Sequence, residues 1–190
     1  MSIPVREKET SWPRLDQTAK KERLLSAAAE VFARHGLDAP MPTVAAAAGA
    51  GVASIYRQFD SKRELLAALV VRRLEQVTEG AQRAADHEGS RWSSLTDLLS
   101  SLVEQQSCDE YFGEAMLRVD GHPAVQAATA DAFAALERLL DDARNEGRLR
   151  ADTTVLDLQL LFAATRAARH IEPNAEKRML HLIIDGLDAS

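Results

Sequence analysis

The sequence is poor in the residues that build disulfide frameworks and β-sheets. Among its 190 residues it has a single cysteine, Cys108. An internal disulfide is therefore excluded, and a lone thiol fits a reducing compartment. Aromatic residues make up 5% of the chain, and no alternating β-branched segment is long enough to indicate a sheet. Alanine and leucine dominate, which favours helices, so we expect an all-α protein of about nine helices.

Long apolar runs are also missing. No stretch reaches the roughly 18 apolar residues of a membrane-spanning helix. The N-terminus has no apolar segment of the kind found in signal peptides. With 46% hydrophobic residues, the chain can still build the core of one medium domain or two small ones. We expect a cytoplasmic protein with no membrane partner.

The formal charge of −6 is divided unevenly along the chain. Residues 1–75 carry 12 Lys and Arg against 9 Asp and Glu, whereas residues 76–190 carry 11 against 20. The front is therefore mildly basic and the rear strongly acidic. Either only the front approaches a polyanion, or solvated helix faces simply differ in charge.

The most informative stretch runs from Thr43 to Lys62. Thr43 is suited to cap a helix over the alanine run that follows it. Gly49 and Gly51 bracket Ala50, and glycine permits the positive φ that a sharp turn requires. The stretch therefore predicts a helix, a tight turn and a second helix.

The second helix of this pair is predicted from Val52 to Phe59. Ile55 and Phe59 are four residues apart and share a buried face, while Ala53 and Arg57 face outward. A short helix with this layout is typical of a recognition helix for the DNA major groove. Two alternatives remain open, an ordinary helical corner and a helical protein-interaction module without DNA binding.

Two blocks of this sequence, at the right distance from each other, resemble the TetR family of bacterial transcriptional regulators. The resemblance covers about Leu24 to Leu69. It rests on Leu24-Leu25, Ala27-Ala28, Val31-Phe32 and Gly36, then Ala48-Gly49, Ile55-Tyr56, Phe59, Ser61-Lys62 and Leu65-Leu66. It implies a non-enzymatic DNA-binding protein, a repressor that binds a near-palindromic operator as a homodimer under the control of a small-molecule effector.

The resemblance also implies a set of DNA-contacting residues. Tyr56 and Lys62 are placed at phosphates, and sequence reading falls to the exposed face of the second helix. Val52 and Ala53 offer only apolar contact, for example to a thymine methyl. Arg57 is the candidate for a guanine contact, with a phosphate contact as the alternative. The full set is Thr43, Val52, Ala53, Ser54, Tyr56, Arg57, Gln58 and Lys62.

The order of segments predicts three parts. Residues 1–15 form a polar tail that is either loose or a basic arm for DNA. Residues 16–75 form the DNA-binding domain, whose first helix starts at Asp16 or Thr18 and ends at Gly36. A capping box at Ser61 starts a long helix that continues to about Ala85 and enters the third part, residues 76–190.

The third part is predicted to hold five more helices that dimerise and bind the effector. The last two helices supply the dimer face, unless these residues only close the core of the monomer. The predicted dimer residues are Leu160, Leu161, Ala164, Ala168, Ile183 and Leu187. In the fourth of the five segments, one stripe is predicted to run from Leu160 to Ile171.

The resemblance implies an effector pocket between the helices that follow the long connecting helix. Its predicted wall comprises Trp92, Leu95, Leu99, Phe112, Met116, Phe133 and Leu136. Gln105, Tyr111 and His122 are the candidate polar partners, and plain core packing is the alternative for the whole set. The acidic charge of this part favours a neutral or cationic ligand.

Candidates for catalysis and metal binding fit no recognised pattern, and no cofactor or metal is expected. Glu137 and Asp141 share a helix face, as solvated acids commonly do. His170, Glu172 and His181 match no zinc spacing, and Pro173 interrupts them.

Overall fold

The computed structural model describes residues 12–106 and 111–189. Residues 1–11 of the predicted tail and Cys108 lie outside these ranges. The described chain forms a short 3₁₀ helix, Trp12–Arg14, and nine α-helices. They are α1 (Gln17–His35), α2 (Met41–Ala47), α3 (Val52–Gln58), α4 (Lys62–Asp86), α5 (Arg91–Gln106), α6 (Phe112–Arg118), α7 (Pro123–Asn145), α8 (Val155–Arg169) and α9 (Ala175–Leu187). The all-α prediction is confirmed, and the extended pairing in these ranges is an isolated bridge between Leu149 and Asp188.

Several predicted helix ends form as the sequence indicates. The Asp16 carboxylate accepts a hydrogen bond from the Ala19 amide at 2.7 Å and so caps α1. Gly36 ends α1 with a φ of 74°. The Ser61 hydroxyl oxygen accepts from the Glu64 amide at 3.2 Å and caps α4. Half of the predicted capping box is missing there, because the Glu64 carboxylate lies 3.3 Å from Nε2 of His122 instead.

Two details of the predicted turn motif are wrong. Thr43 does not cap α2, because the helix already begins at Met41 with Pro40 as its N-cap. Pro40 is suited to this position because its ring fixes φ. Gly51 has an ordinary φ of −72°, so the turn depends on Gly49, whose φ is +67°.

Two clusters of buried side chains hold the helices together. The front core joins α1, α2, α3 and the first half of α4 to α6 and the first half of α7. The rear core joins the end of α4 and the second half of α7 to α5, α8 and α9. Val77 of α4 packs against both clusters. The two long helices α4 and α7 therefore run through both cores.

The predicted division between residues 75 and 76 falls inside α4. The front core crosses this division, since Tyr111, Ala115 and Val119 pack in the same cluster as the first three helices. The chain thus has no packing boundary there, and the division of roles between the two parts stays a prediction.

The predicted stripe on the fourth segment of the rear combines two different faces of α8. The face that enters the monomer consists of Val155, Leu158, Leu161, Thr165 and Ala168. Leu160 is 60% exposed, and Ile171 lies beyond the helix end with 84% exposure. The prediction failed because α8 is apolar on two sides, so a single apolar stripe could not be identified from spacing alone.

Candidate nucleic-acid interface and internal cavity

The helix α3 is anchored on one side and open on the other. Ile55 is fully buried and Phe59 nearly so, both within the front core. The Phe59 amide donates to the Ile55 carbonyl at 2.9 Å, which ends the helix. On the outer side Tyr56 is 48% exposed. Arg57 is also exposed and has no ion pair within the described ranges. An aromatic ring and a free guanidinium on a short, firmly seated helix suit a groove of DNA.

The other predicted DNA-contacting residues surround α3. Val52 and Ala53 are exposed at its first turn, while Ser54 and Gln58 are half-buried. The Gln58 side-chain amide donates to Oε1 of Gln17 at 2.5 Å, which ties the end of α3 to α1. Thr43 is exposed in the first turn of α2. The structure therefore leaves Thr43, Val52 and Ala53 open to solvent, and Ser54 and Gln58 partly so.

Lys62 differs from the others because its stem is packed. Its ammonium lies 5.8 Å from the centroid of the Phe32 ring, a cation–π distance. Burial lowers the pKa of Lys62, the carboxylate of Asp38 opposes this shift, and the Arg118 guanidinium adds to it. Lys62 thus stands at the start of α4 with its position fixed by α1.

Three side-chain contacts connect residues on either side of the turn motif to α6 and to the loop that follows α6. Arg118 of α6 pairs with Asp38, with 2.8 Å between Nη1 and Oδ1. Arg63 of α4 donates to the Asp120 carbonyl oxygen at 2.8 Å. His122 and Glu64 form the third contact at 3.3 Å. A hydrogen bond from Arg118, together with its charge, lowers the pKa of Asp38. Sequence spacing gave no signal for these contacts, because the paired residues are 57 to 80 positions apart.

A cavity of about 250 Å³ lies among α4, α5, α6, α7 and α8. Four predicted wall residues line it, namely Phe112, Met116, Phe133 and Leu136. The remaining lining residues are Arg73, Leu74, Val77, Leu102, Gly113, Thr129, Ala132, Val155, Leu158, Gln159, Phe162, Ala163 and Arg166. The α8 residues were missed, since α8 was assigned only to the dimer.

Trp92, Leu95 and Leu99 do not line this cavity. They are buried in the rear core on α5, because that helix turns this face toward α7 and α9. The candidate polar partners also lie elsewhere. Gln105 accepts a hydrogen bond from Arg73, Tyr111 packs edge-on against Phe32 with ring centroids 6.1 Å apart, and His122 faces Glu64.

The charge of the cavity wall is opposite to that of the surrounding part of the chain. Among the described lining residues there are two arginines, Arg73 and Arg166, and no Asp or Glu. Arg73 donates to Oε1 of Gln105 at 2.7 Å. The expectation of a neutral or cationic ligand rested on the summed charge of residues 76–190, and these acids do not reach the wall. The local charge favours an anion instead.

A second exposed apolar surface is formed by α8 and α9. We call it the α8–α9 face. On α8 it follows a helical repeat through Leu156, Leu160, Ala163 and Ala167, with Ile171 just beyond the helix, all exposed. On α9 its most exposed member is Leu182. Two of the predicted dimer residues, Leu161 and Ala168, are buried in the monomer, and Ile183 and Leu187 are half-buried against the rear core.

The acidic pair and the histidines have no arrangement suited to chemistry. Glu137 and Asp141 both pair with the Arg144 guanidinium. No cluster of three or more metal-ligating side chains occurs within residues 12–106 and 111–189. Among the helices that the structure describes, none has the length and apolar character that a membrane crossing requires.

The turn motif defines a helix-turn-helix regulator, and comparison with known families gives the same class. Residues 24–69 match the family described as bacterial regulatory proteins of the tetR family. Residues 92–189 match the C-terminal domain of SbtR-like transcriptional regulators. The chain therefore belongs to the TetR family of bacterial transcriptional regulators, which are non-enzymatic DNA-binding proteins. The match at 24–69 agrees with the extent of the resemblance predicted from the sequence.

Solved structures share the fold over nearly the whole chain. A TetR regulatory protein from Mycobacterium vanbaalenii is 27% identical with a TM-score of 0.68, covering 89% of this chain and 95% of its own. SmeT, the repressor of the Stenotrophomonas maltophilia multidrug efflux pump SmeDEF, is 25% identical with a TM-score of 0.63, covering 87% of each chain. SCO0520 from Streptomyces coelicolor is 23% identical with a TM-score of 0.69, covering 90% and 99%. No curated protein matches the chain significantly.

Proposed function

We propose that the protein is a cytoplasmic, homodimeric repressor that reads a near-palindromic operator through α3 and is controlled by a small molecule in the cavity. The observation that carries the DNA-reading part is the open side of α3, where Tyr56 and Arg57 are exposed above a buried anchor. The repressor role is supported by the likeness to SmeT, which is described as a repressor. The competing function, a helical protein-interaction module, requires no affinity for DNA.

DNA binding is tested by selecting genomic fragments on the purified protein and titrating them by fluorescence anisotropy at several salt concentrations. Affinity should fall steeply with salt, because bound Lys and Arg displace counterions. Arg57→Ala should weaken operator binding by about 1–3 kcal/mol and relax the preference at one base pair. Arg83→Ala is the matched control, since Arg83 is an exposed arginine near the far end of α4.

The outcomes separate the possible roles. An equal loss on all operator variants would assign Arg57 to a phosphate rather than a base. Replacing Lys62 should weaken binding to all sequences and flatten the salt dependence. If the wild-type chain retains no DNA fragment at any salt concentration, the protein-interaction module is favoured.

The dimer is proposed to form through the α8–α9 face. Leu156 and Leu160 are 61% and 60% exposed and lie one helical turn apart, and Leu182 of α9 is 59% exposed. Ala163 and Ala167 are small enough to let a second helix approach closely. A two-fold dimer places its recognition helices about 34–36 Å apart, which matches one turn of DNA and a palindromic site.

Sedimentation velocity on the full chain tests this assembly. The wild-type protein should sediment at twice its monomer mass of 20.8 kDa, and Leu160→Glu should give monomers with unchanged helicity. Leu117→Glu is a control, because Leu117 is an 80% exposed apolar residue on α6 and belongs to neither α8 nor α9. A monomeric wild-type protein at micromolar concentration would refute the dimer.

The route from the cavity to the DNA-binding helices is proposed to pass through α6. Phe112 and Met116 line the cavity and also pack against the front core. Two residues after Met116, Arg118 pairs with Asp38 of the turn that precedes α2. A ligand that moves α6 therefore acts on the position of the turn motif. It can change DNA affinity only as far as it binds the two arrangements unequally.

A further inference from the structure

Within residues 12–106 and 111–189, one positive group at the cavity has no partner. Arg166 lines the cavity from α8 and makes no hydrogen bond or ion pair among the described residues. Gln159 precedes Arg166 by seven residues and lies on the same face of α8. Its side-chain amide also makes no hydrogen bond among the described residues. Both side chains are exposed at the outer edge of the cavity. The cavity edge therefore carries hydrogen-bond donors that have no acceptor among the described residues.

The guanidinium of Arg166 lies directly against Gly113 of α6. A Cβ atom at Gly113 would come within 2.4 Å of Nη1 of Arg166. A side chain at residue 113 would therefore require the flexible end of Arg166 to move away from the backbone of α6. The Arg166 fork lies beside a helix that also supplies Phe112 and Met116 to the wall.

The rest of the wall is apolar and small. Beyond Arg73, Thr129, Gln159 and Arg166, the lining side chains are aliphatic, aromatic or Met. The Thr129 hydroxyl already donates to the Val125 carbonyl oxygen at 2.7 Å. The volume of about 250 Å³ lies just below the ~300–1,000 Å³ of sites for drug-sized molecules. The occupant is therefore a small molecule with a largely apolar body.

From these observations we infer that the cavity takes a small amphipathic carboxylate whose anionic end pairs with Arg166 and whose apolar part lies among Phe112, Met116 and Phe133. This inference rests on the proposed effector site and assigns its ligand class. Arginine binds a carboxylate through two parallel hydrogen bonds, which a neutral amide cannot reproduce. A single unpartnered guanidinium suits a monoanion. The exposed cavity edge limits the gain, because water competes for the guanidinium.

Isothermal titration calorimetry on the full chain tests the inference with probes of one length and different charge. Octanoate should bind up to about fivefold more tightly than octanamide, and octylammonium should bind most weakly. Arg166→Gln should abolish the preference for octanoate without changing the affinity for octanamide. Arg166→Lys should retain part of it, because the charge stays but the planar fork is lost. Arg178→Gln, an exposed arginine of α9, is the matched control and should change nothing.

A second variant tests the geometry independently. Gly113→Ala should displace the guanidinium and reduce the preference for octanoate while leaving the charge of the protein unchanged. The inference is overturned if octanoate and octanamide bind equally to the wild-type chain, if none of the three probes binds, or if Arg166→Gln keeps the preference.

Operator titration in the presence of each probe separates this inference from the proposed regulation. Octanoate that binds through Arg166 but leaves operator affinity unchanged would support the ligand class and refute the regulatory role of the cavity. Conversely, a neutral or cationic compound that shifts operator affinity equally in the wild type and in Arg166→Gln would support regulation and refute the carboxylate class.

Discussion

The front core joins the helix-turn-helix to α6 and the first half of α7, whereas the rear core joins α5, α8 and α9 to the second half of α7. The cavity lies where the two meet, since Ala132 of its wall belongs to the front core and Leu136 to the rear core. The α8–α9 face is supported by the rear core alone. A ligand in the cavity would therefore touch the part that holds α3, the proposed DNA-reading helix, and the part that holds the proposed dimer face.

The largest effects on stability should come from truncating a buried side chain in one core at a time. Phe32→Ala should lower the free energy of unfolding by about 3–5 kcal/mol, because Phe32 is nearly fully buried and also supports Lys62 and Tyr111. Leu139→Ala in the rear core should cost about 2–5 kcal/mol. Urea denaturation gives both values.

Amide hydrogen exchange on the same two variants tests whether the cores are separate. Phe32→Ala should raise exchange in α6 more than in α9, and Leu139→Ala should do the reverse. Equal acceleration in α6 and α9 by both variants would show that the two clusters open as one unit, and the comparison between them would fail.

A smaller effect is expected from the contact that joins α6 to the turn motif. Arg118→Ala removes the pair with Asp38 and should leave the stability of the chain nearly unchanged, because exposed ion pairs contribute little. It should nevertheless reduce the change in operator affinity that a cavity ligand causes, by a few fold. Arg34→Ala is the control, since Arg34 forms an exposed pair with Glu30 within α1. The same loss of coupling in both variants would contradict a specific role for Arg118.

The smallest expected effect concerns pH and the rear of the molecule. Glu146 follows α7, and its carboxylate accepts a hydrogen bond from the Trp92 amide at the start of α5, at 2.8 Å. That bond, with others from Ser90 and Arg91, lowers the pKa of Glu146 from its ordinary value of 4.5. A lowered carboxyl pKa contributes stability that is complete above 4.5 and is lost as the pH falls through the folded-state value.

Thermal melts of the wild type and of Glu146→Gln check this contribution. At neutral pH the variant should melt at a lower temperature, and the gap should close as the pH falls below the ordinary value of 4.5. A gap that stays constant with pH would assign the loss to the altered side chain rather than to its charge.

Local patterns in the sequence were sufficient for most helix ends, although Thr43 and Gly51 do not have the roles predicted for them. Asp16, Gly36, Gly49 and Ser61 act at helix ends within a few residues of themselves, so their roles can be deduced from short segments. The cavity was predicted less well, because Arg166 and Gln159 reach the wall only through the packing of α8 against α6 and α7. No local spacing records that arrangement.

The dimer face shows the same limit in another form. In α8, Leu160 and Ala167 are exposed, whereas their sequence neighbours Leu161 and Ala168 are buried. Spacing identifies an apolar helix, but which side enters the monomer depends on where α9 packs. The sequence did contain a second apolar repeat, formed by Leu156, Leu160, Ala163 and Ala167. This repeat is distinct from that of the buried side and could have indicated the exposed face.

The length of α4 sets how much movement the cavity has to produce. The helix has 25 residues and is therefore about 37 Å long, at 1.5 Å per residue. It carries Lys62 at one end and borders the cavity with Leu74 and Val77 near its middle. A rigid rod of that length turned by about 3° moves its tip by about 2 Å, relative to a pivot at the other end. In the proposed dimer, a ligand small enough for a cavity of about 250 Å³ would thus need only a slight rotation of one helix to misalign the two proposed recognition helices with the spacing of the DNA grooves.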